Sequence, residues 1–291
     1  MLARSRTLPK TALIAFALAA LITSPSGAAD KRSMILATTT SVRDSGLLDT
    51  LLPEFTEATG IRVRVIAVGT GAALRMGREG NADLLLTHAP ASEKVLVDEG
   101  IVTRRTPFME NFFVIAGPAK DPAKISSAIS PEDAIRRIDA AGAGWVSRSD
   151  DSGTHKREKA LFHAAGLDPE ADRDRLVRTG TGMGLSLQIA GERRYYILSD
   201  IGTFLAFHKR VGLEVLSKPG SSLRNIYSIL QLDSSRFERP LHTSEAEELE
   251  RFLLTKKTQR AIGAFGLDKF GRTLFTPLKL ADDAHASPVS K

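Results

Sequence analysis

The 291-residue chain contains no cysteine. That single absence excludes a lipobox-type lipid anchor, disulfides, thiolate metal sites and a Cys nucleophile together. A chain of this length needs no such staples, because a domain of ~250 residues buries about three quarters of its unfolded surface. Long apolar runs are also scarce. The only one, TALIAFALAALIT (11–23), follows MLARSRTLPK, in which Arg4, Arg6 and Lys10 face no acid, and precedes the small-residue stretch SPSGAAD. A basic start, a short apolar run and a small-residue cleavage site describe a secretory signal peptide over residues 1–29, cut near Ala28 or Ala29. The run falls short of the ~20 residues that a bilayer requires. No later segment is apolar enough to span, so the expected mature protein has no membrane span and resides in the periplasm.

Charge of one sign is scarce as well. Of the formal +6, three charges belong to the removed segment, which leaves +3. That excess is spread along the chain. A nucleic-acid surface calls for clustered Lys and Arg interleaved with aromatics, and none is present. The final ADDAHASPVSK reads as a solvated tail.

What the chain does have is a steady alternation of strand-like and helix-like segments. MILATTTS (34–41), IRVRVIAVG (61–69) and ADLLLTHAP (82–90) read as strands. SGLLDTLLPEFTEATG (45–60) and TGAALRMGREG (70–80) read as helices, the first with Leu47, Leu48, Leu51, Leu52 and Phe55 at helical spacing and Gly60 as its C-cap. Strands follow at NFFVIAGP (111–118), AGWVSR (143–148), YYILS (195–199) and RNIYSILQL (224–232). Helices follow at THKREKALFHAAG (154–166), GMGLSLQIAGERR (182–194), DIGTFLAFHKR (200–210) and, as a single tail, EAEELERFLLTKKTQRAIGAF (245–265). The βαβαβ order predicts an α/β fold with a mostly parallel sheet and helices on both faces. About 260 mature residues exceed the usual size of one core, which predicts two lobes. Lobe 1 comprises 30–115 plus 225–291, lobe 2 comprises 116–224, and two strands form the hinge between them.

Four strand-to-helix junctions share one chemical character. ATTTS (37–41) supplies Thr39, Thr40 and Ser41, and VGTGA (68–72) supplies Thr70 and Gly71. SRSDDSGT (147–154) supplies Arg148, Ser152, Gly153 and Thr154, and TGTGMG (179–184) supplies Thr181. In open α/β sheets ligands collect at the carboxyl ends of strands. Helix N-termini there offer unpaired N–H groups and a partial positive charge. Any one of these loops reads equally well as an ordinary Ser/Thr N-cap. Together they predict a concave site for a small oxyanion, with Arg148 as its charge anchor because a guanidinium fork suits tetrahedral oxyanions. Of Asp150 and Asp151, one reads as an N-cap and the other as pointing outward or holding Arg148. His88 and His155 are either donors to the ligand or ordinary polar histidines.

Ser152, His155 and Asp151 also raise a hydrolase reading. They crowd onto a single turn, whereas triads assemble from distant segments, and no G-x-S-x-G elbow is present. Neither is an H-E-x-x-H metal motif.

The segment ATTTSVRDSGLLDTLLPEFTEATGIRVRVIAVGTGAALRMGREGNADLLLTHAP resembles the N-terminal part of the tungstate-binding proteins of tungstate ABC transporters. NFFVIAGPAKDPAKI, WVSRSDDSGTHKREKALF, GTGMGLSLQIA and YILSDIGTFLAF resemble that family's later blocks in the same order, so that the resemblance covers roughly residues 34–235. It implies a type II periplasmic-binding-protein fold, closure of two lobes on an oxyanion, no cofactor, and delivery to an inner-membrane ABC permease by a monomer. The ligand it implies is tungstate, or molybdate. The family's TTTS motif falls on Thr38–Ser41, its second loop on Val68–Gly71, and the arginine and threonine of its S-R-G-D-D-S-G-T block on Arg148 and Thr154. Ser149 replaces that block's usual glycine, which predicts a loop less free to adopt a positive φ. The SGT element is also similar to phosphate-binding proteins, and so a phosphate reading stays open. An extracytoplasmic sensor of the same fold and an exported serine hydrolase are the other readings.

Overall fold

Alternating strands and helices fill residues 32–279, the part of the chain that the computed structural model describes. The signal peptide read over 1–29 and the tail 281–291 lie outside it. The first half runs β1 (Ser33–Thr39), α1 (Thr40–Ser45), α2 (Leu47–Thr59), β2 (Arg62–Val68), α3 (Thr70–Arg78), β3 (Leu84–Thr87), α4 (Pro90–Asp98) and β4 (Val102–Pro118). Then come α5 (Pro131–Ala140), β5 (Trp145–Ser147), α6 (Gly153–Ala164), β6 (Leu176–Arg178), α7 (Met183–Arg193), β7 (Tyr196–Asp200), α8 (Ile201–Val211) and β8 (Leu213–Val215). The chain finishes with β9 (Arg224–Leu232), α9 (Thr243–Leu254), α10 (Lys256–Ala264), α11 (Leu267–Phe270) and β10 (Thr276–Pro277). Among the described residues no helix is long and apolar enough to cross a membrane.

The strands hydrogen-bond in the order β2-β1-β3-β9-β4-β7-β5-β6. At one end β2, β1 and β3 are parallel, and at the other β7, β5 and β6 are parallel. The two strands between them, β9 and β4, run antiparallel to their neighbours and to each other. The expected parallel sheet is therefore two parallel sets with an antiparallel pair in the middle. Buried β3, LLLT, is apolar up to its final threonine because helices cover both faces, whereas edge strand β2 carries Arg62 and Arg64 outward. Gly60 ends α2 at φ 73°, donating its N–H to Thr56 O, the left-handed cap that its glycine allows.

The 17-residue β4 changes partner midway. Through Phe112 it pairs with β9, and from Phe113 onward with β7, where Phe113 lies opposite Asp200. One core cluster gathers Leu36, Leu51, Phe55, Phe108, Leu249, Leu253 and Ile262, from both ends of the described chain. Two others, built around Trp145, Phe162 and Tyr196 and around Val146, Leu187 and Phe204, draw only on residues from Phe113 to Leu223.

The sequence reading left out α1, α5, α11, β6, β8 and β10, and three further segments differ from it. β4 begins at Val102, well before residue 111, and α4 precedes it. The single helical tail of 245–265 is two helices, because Thr255 turns extended at ψ 147° and its hydroxyl caps α10 by accepting Thr258 N–H at 3.3 Å.

Candidate functional site

The four junctions meet. At the end of β3, His88 Nε2 lies 3.1 Å from Ser41 Oγ, which links the Thr39–Ser41 turn to that strand. Gly153 N–H, at the start of α6, donates to Thr70 Oγ1 at 2.8 Å, so that the starts of α3 and α6 touch. Glycine is required there, since a Cβ on Gly153 would stand 2.8 Å from His88 Cε1 and 3.0 Å from Thr70 Oγ1. Gly71 likewise leaves room for Asp151 Oδ2, which a Cβ would approach to 2.6 Å. Thr181 joins through its carbonyl, which accepts from Arg148 Nε at 3.3 Å. The loops that carry the ten residues singled out in the sequence are thus linked to one another, although Thr40 makes no hydrogen bond within the cluster among the described residues.

Their hydrogen bonds decide which donors face outward. Thr38 Oγ1 donates to Leu86 O at 2.8 Å and is locked inside. Asn225 Nδ2 donates to Asn111 Oδ1 and to Tyr227 OH, which turns its own Oδ1 toward His88 Nδ1 at 2.8 Å. His88 therefore carries its proton on Nδ1, and Nε2 accepts from the Ser41 hydroxyl. Ser41 in turn accepts from Thr39 Oγ1, 3.1 Å away. Other hydroxyls keep their protons to offer. Thr70 and Ser152 accept backbone N–H groups, of Gly153 and of His155 at 3.2 Å, and an accepting hydroxyl still has a proton to donate. Thr154, 1% exposed, has a buried hydroxyl with no partner among the described residues. Ala73 is the residue whose N–H closes the first turn of α3, onto Gly69 O at 2.9 Å, which leaves the earlier amides of that helix open.

Arg148 is buried, and its guanidinium pairs with Asp150. Asp151 points outward, its side chain 70% exposed and 3.7 Å from Lys156 Nζ. Neither aspartate is the N-cap of α6, because Ser152 fills that position. Ser149 sits at φ 47° and Asp151 at φ 55°, so the loop takes up left-handed backbone without a glycine at either place. Among the described residues the side chains of Ser152 and His155 do not pair: His155 Nδ1 accepts the Asp151 backbone N–H at 3.1 Å, and Ser152 Oγ accepts only the His155 backbone N–H.

Burial sets the titration of the groups around this cluster. It pulls the His88 ring down to about 4, with Arg148 and Arg157 adding to the effect. It pushes Glu158 up to about 7 and raises the Asp200 carboxyl, partly against the field of Arg148. His155 is lowered, again chiefly by burial.

Sequence reasoning passed over Asp200, Thr203, Asn111 and Asn225. Asp200 caps α8 through Oδ1, which accepts Thr203 N–H at 2.9 Å, while its Oδ2 and the Thr203 hydroxyl are buried without partners among the described residues. SDIGT has the same strand-end, helix-start form as the four junctions, and that signal was available. The asparagine pair left no local signal.

The chain is similar to known proteins over most of its length. The PBP superfamily domain matches residues 24–235. The tungstate-binding protein TupA of Peptoclostridium acidaminophilum is 42% identical over 261 residues, 87% of this chain and 90% of that protein. The structure of the tungstate-binding protein TupA from Desulfovibrio alaskensis G20 superposes with a TM-score of 0.74 at 39% identity, covering 84% of this chain and 98% of that one. The tungstate ABC transporter structure from Geobacter sulfurreducens gives 0.73 at 37% identity, covering 80% and 98%. With an α/β fold built on two parallel strand sets, and with relatives this similar over most of its length, the chain belongs to the PBP superfamily and, within it, to the family of the tungstate-binding protein TupA.

Proposed function

We propose that this protein is an extracytoplasmic solute-binding protein that captures tungstate, with molybdate as a close competitor, and hands it unchanged to an inner-membrane ABC permease. Export by the cleaved signal peptide over 1–29 belongs to the same reading. So does a division into lobes, 30–115 plus 225–291 and 116–224, that close on the anion about β4 and β9. The relatives support the ligand and the transporter, since two of them are named for binding tungstate and a third for the tungstate ABC transporter.

The observation that carries the reading is the buried, unpartnered hydroxyl of Thr154, at the meeting point of α3 and α6 and on the same short segment as buried Arg148. A buried donor without an acceptor costs about 1–3 kcal/mol, and an oxyanion supplies the acceptor. Nanomolar capture needs about −12 kcal/mol. Charge-assisted hydrogen bonds contribute about 1.5–3 kcal/mol each before ordering costs, so roughly six to eight donors suffice. The guanidinium of Arg148, the hydroxyls of Thr40, Thr70, Ser152 and Thr154, and the open amides from Thr70 and Gly71 onward provide that number. In this reading Thr39, Ser41 and Thr181 shape the site more through backbone and packing, and Gly153 brings its two walls together. Selection against sulfate rests on cavity size, because W–O bonds exceed S–O bonds and a cage fitted to the larger anion loses contacts to the smaller.

Calorimetry of the mature protein against tungstate, molybdate, sulfate and phosphate tests this directly. Tungstate and molybdate bind tightly, and phosphate competing at micromolar concentration overturns the assignment. Thr154→Val is the sharper variant, since it keeps the shape and removes only the orphaned hydroxyl. Its melting temperature without anion stays equal or rises, while tungstate affinity falls at least tenfold, about the worth of one hydrogen bond to a charged group.

A further inference from the structure

Arg148, the charge anchor expected from the sequence, is not a free cation. It is opposed by Asp150, with which it pairs. Lys156 leans on Asp151 at 3.7 Å and on Ser92 Oγ at 3.3 Å. Arg157 differs from both. It is half-buried, and its partners are the Arg224 carbonyl at 3.2 Å and the face of Phe113, 5.8 Å from the ring centroid. Among the described residues no carboxylate pairs with it. Burial is what lowers its pKa, with no acid to offset that.

Its position is as telling as its isolation. Arg157 follows Gly153 by four residues on α6, so the two share a helix face. That face is the one on which Gly153 meets Thr70 and His88. Arg157 and Gly153 both line a cavity of about 280 Å³ between α6 and the start of α4, together with His88, Ser92 and Lys156. A cation half out of water with no counter-ion loses solvation unless a negative charge arrives.

We infer that Arg157 is the charge-selecting residue of the anion site. It balances the second negative charge of the bound oxyanion and makes the site prefer a dianion to a monoanion of the same size. The inference rests on the reading of the site as an oxyanion cradle. Arg148 and Asp150 act as a neutral pair that gives directional bonds without net charge. Hydroxyls and amides are dipoles, and they serve either anion. The net field of Arg157 is felt twice as strongly by a double charge.

Tungstate and perrhenate, tetrahedral oxyanions of nearly equal size that differ by one charge, separate these contributions. Calorimetry compares wild type, Arg157→Gln and Arg157→Lys with both anions. Removing the charge lowers tungstate affinity by about tenfold and perrhenate by no more than about threefold, as a partly solvated charge several ångströms away would. Arg157→Lys restores the discrimination. The readout is the ratio of the two dissociation constants in one sample, from which any loss of folded protein cancels. If Arg157→Gln weakens both anions by the same factor, the side chain only braces the Arg224 carbonyl and the proposal falls. Wild-type protein that ignores tungstate overturns the cradle reading itself, a result visible before any variant is made.

Discussion

At the scale of single residues, His88 connects the Thr39–Ser41 turn to the central strands. Its ring stacks 4.8 Å from Tyr227, donates to Asn225 and accepts from Ser41, and burial holds it neutral with a pKa of about 4. In the unfolded chain the ring titrates near 6.5, so between 6.5 and about 4 the unfolded state binds more protons. The stability that neutral His88 provides is complete above that window and is lost as pH falls through it, by about 3 kcal/mol in all. His88→Gln should flatten the acid limb of stability measured by urea unfolding from pH 7.5 to 4.5. Parallel losses in variant and parent would show that the ring is not held neutral. Arg148 and Thr154 were legible because a strand end, a hydroxyl run and a helix start are neighbours in sequence. Asn111 and Asn225 were not, since their hydrogen bond joins positions 114 residues apart and neither sits in a recognisable pattern.

At the scale of elements, the loop between β5 and α6 bends without a glycine at Ser149. A non-glycine residue in the left-handed region costs about 1–2 kcal/mol. Glycine's extra freedom in the unfolded chain returns about 0.5–1 kcal/mol of that. Ser149→Gly should therefore stabilise the protein by about 0.5–1 kcal/mol, read as a small rise in melting temperature, and leave tungstate affinity within about threefold. A lower melting temperature would mean that the serine side chain holds the loop. The serine in place of the family's glycine was legible, but the expected avoidance of a positive φ is overturned, since Ser149 sits at φ 47°. Two further elements had signals that periodicity concealed. Pro90 opens α4, and Glu93 Oε1 accepts the Ala89 N–H at 2.8 Å in the manner of a capping box. Thr255 splits the final helix by acting as a cap in the middle of an unbroken amphipathic pattern. The early start of β4 was hidden for another reason: its first residues, VTRRTPFME, mix charges and a proline because much of that stretch is only partly covered.

At the scale of the whole molecule, helix–strand alternation identified the α/β class but not the antiparallel pair at its centre. Strand direction depends on how far the chain travels before it returns, and β9 returns after the whole segment 119–223. Phe112 and Phe113, adjacent in sequence, pair with different strands. Under the proposed closure, a bound anion holds together the starts of α3 and α6, which touch here through Gly153 and Thr70. Small-angle scattering should then show the radius of gyration shrinking on the order of 1 Å when tungstate is added, as hinge closure produces in proteins of this architecture. An unchanged radius at saturating tungstate would mean that the two walls stand together without it.

The way the cores draw on the chain governs the order in which they can be completed. Everything around Trp145, Phe162 and Leu187 comes from one uninterrupted stretch, so this middle portion can consolidate without waiting for either end of the described chain. Leu36 and Phe55 emerge first yet wait for Leu249, Leu253 and Ile262, among the last described residues to be made. Among the described residues, the apolar surface made earliest is thus the last to be covered, and α9 and α10 seal it.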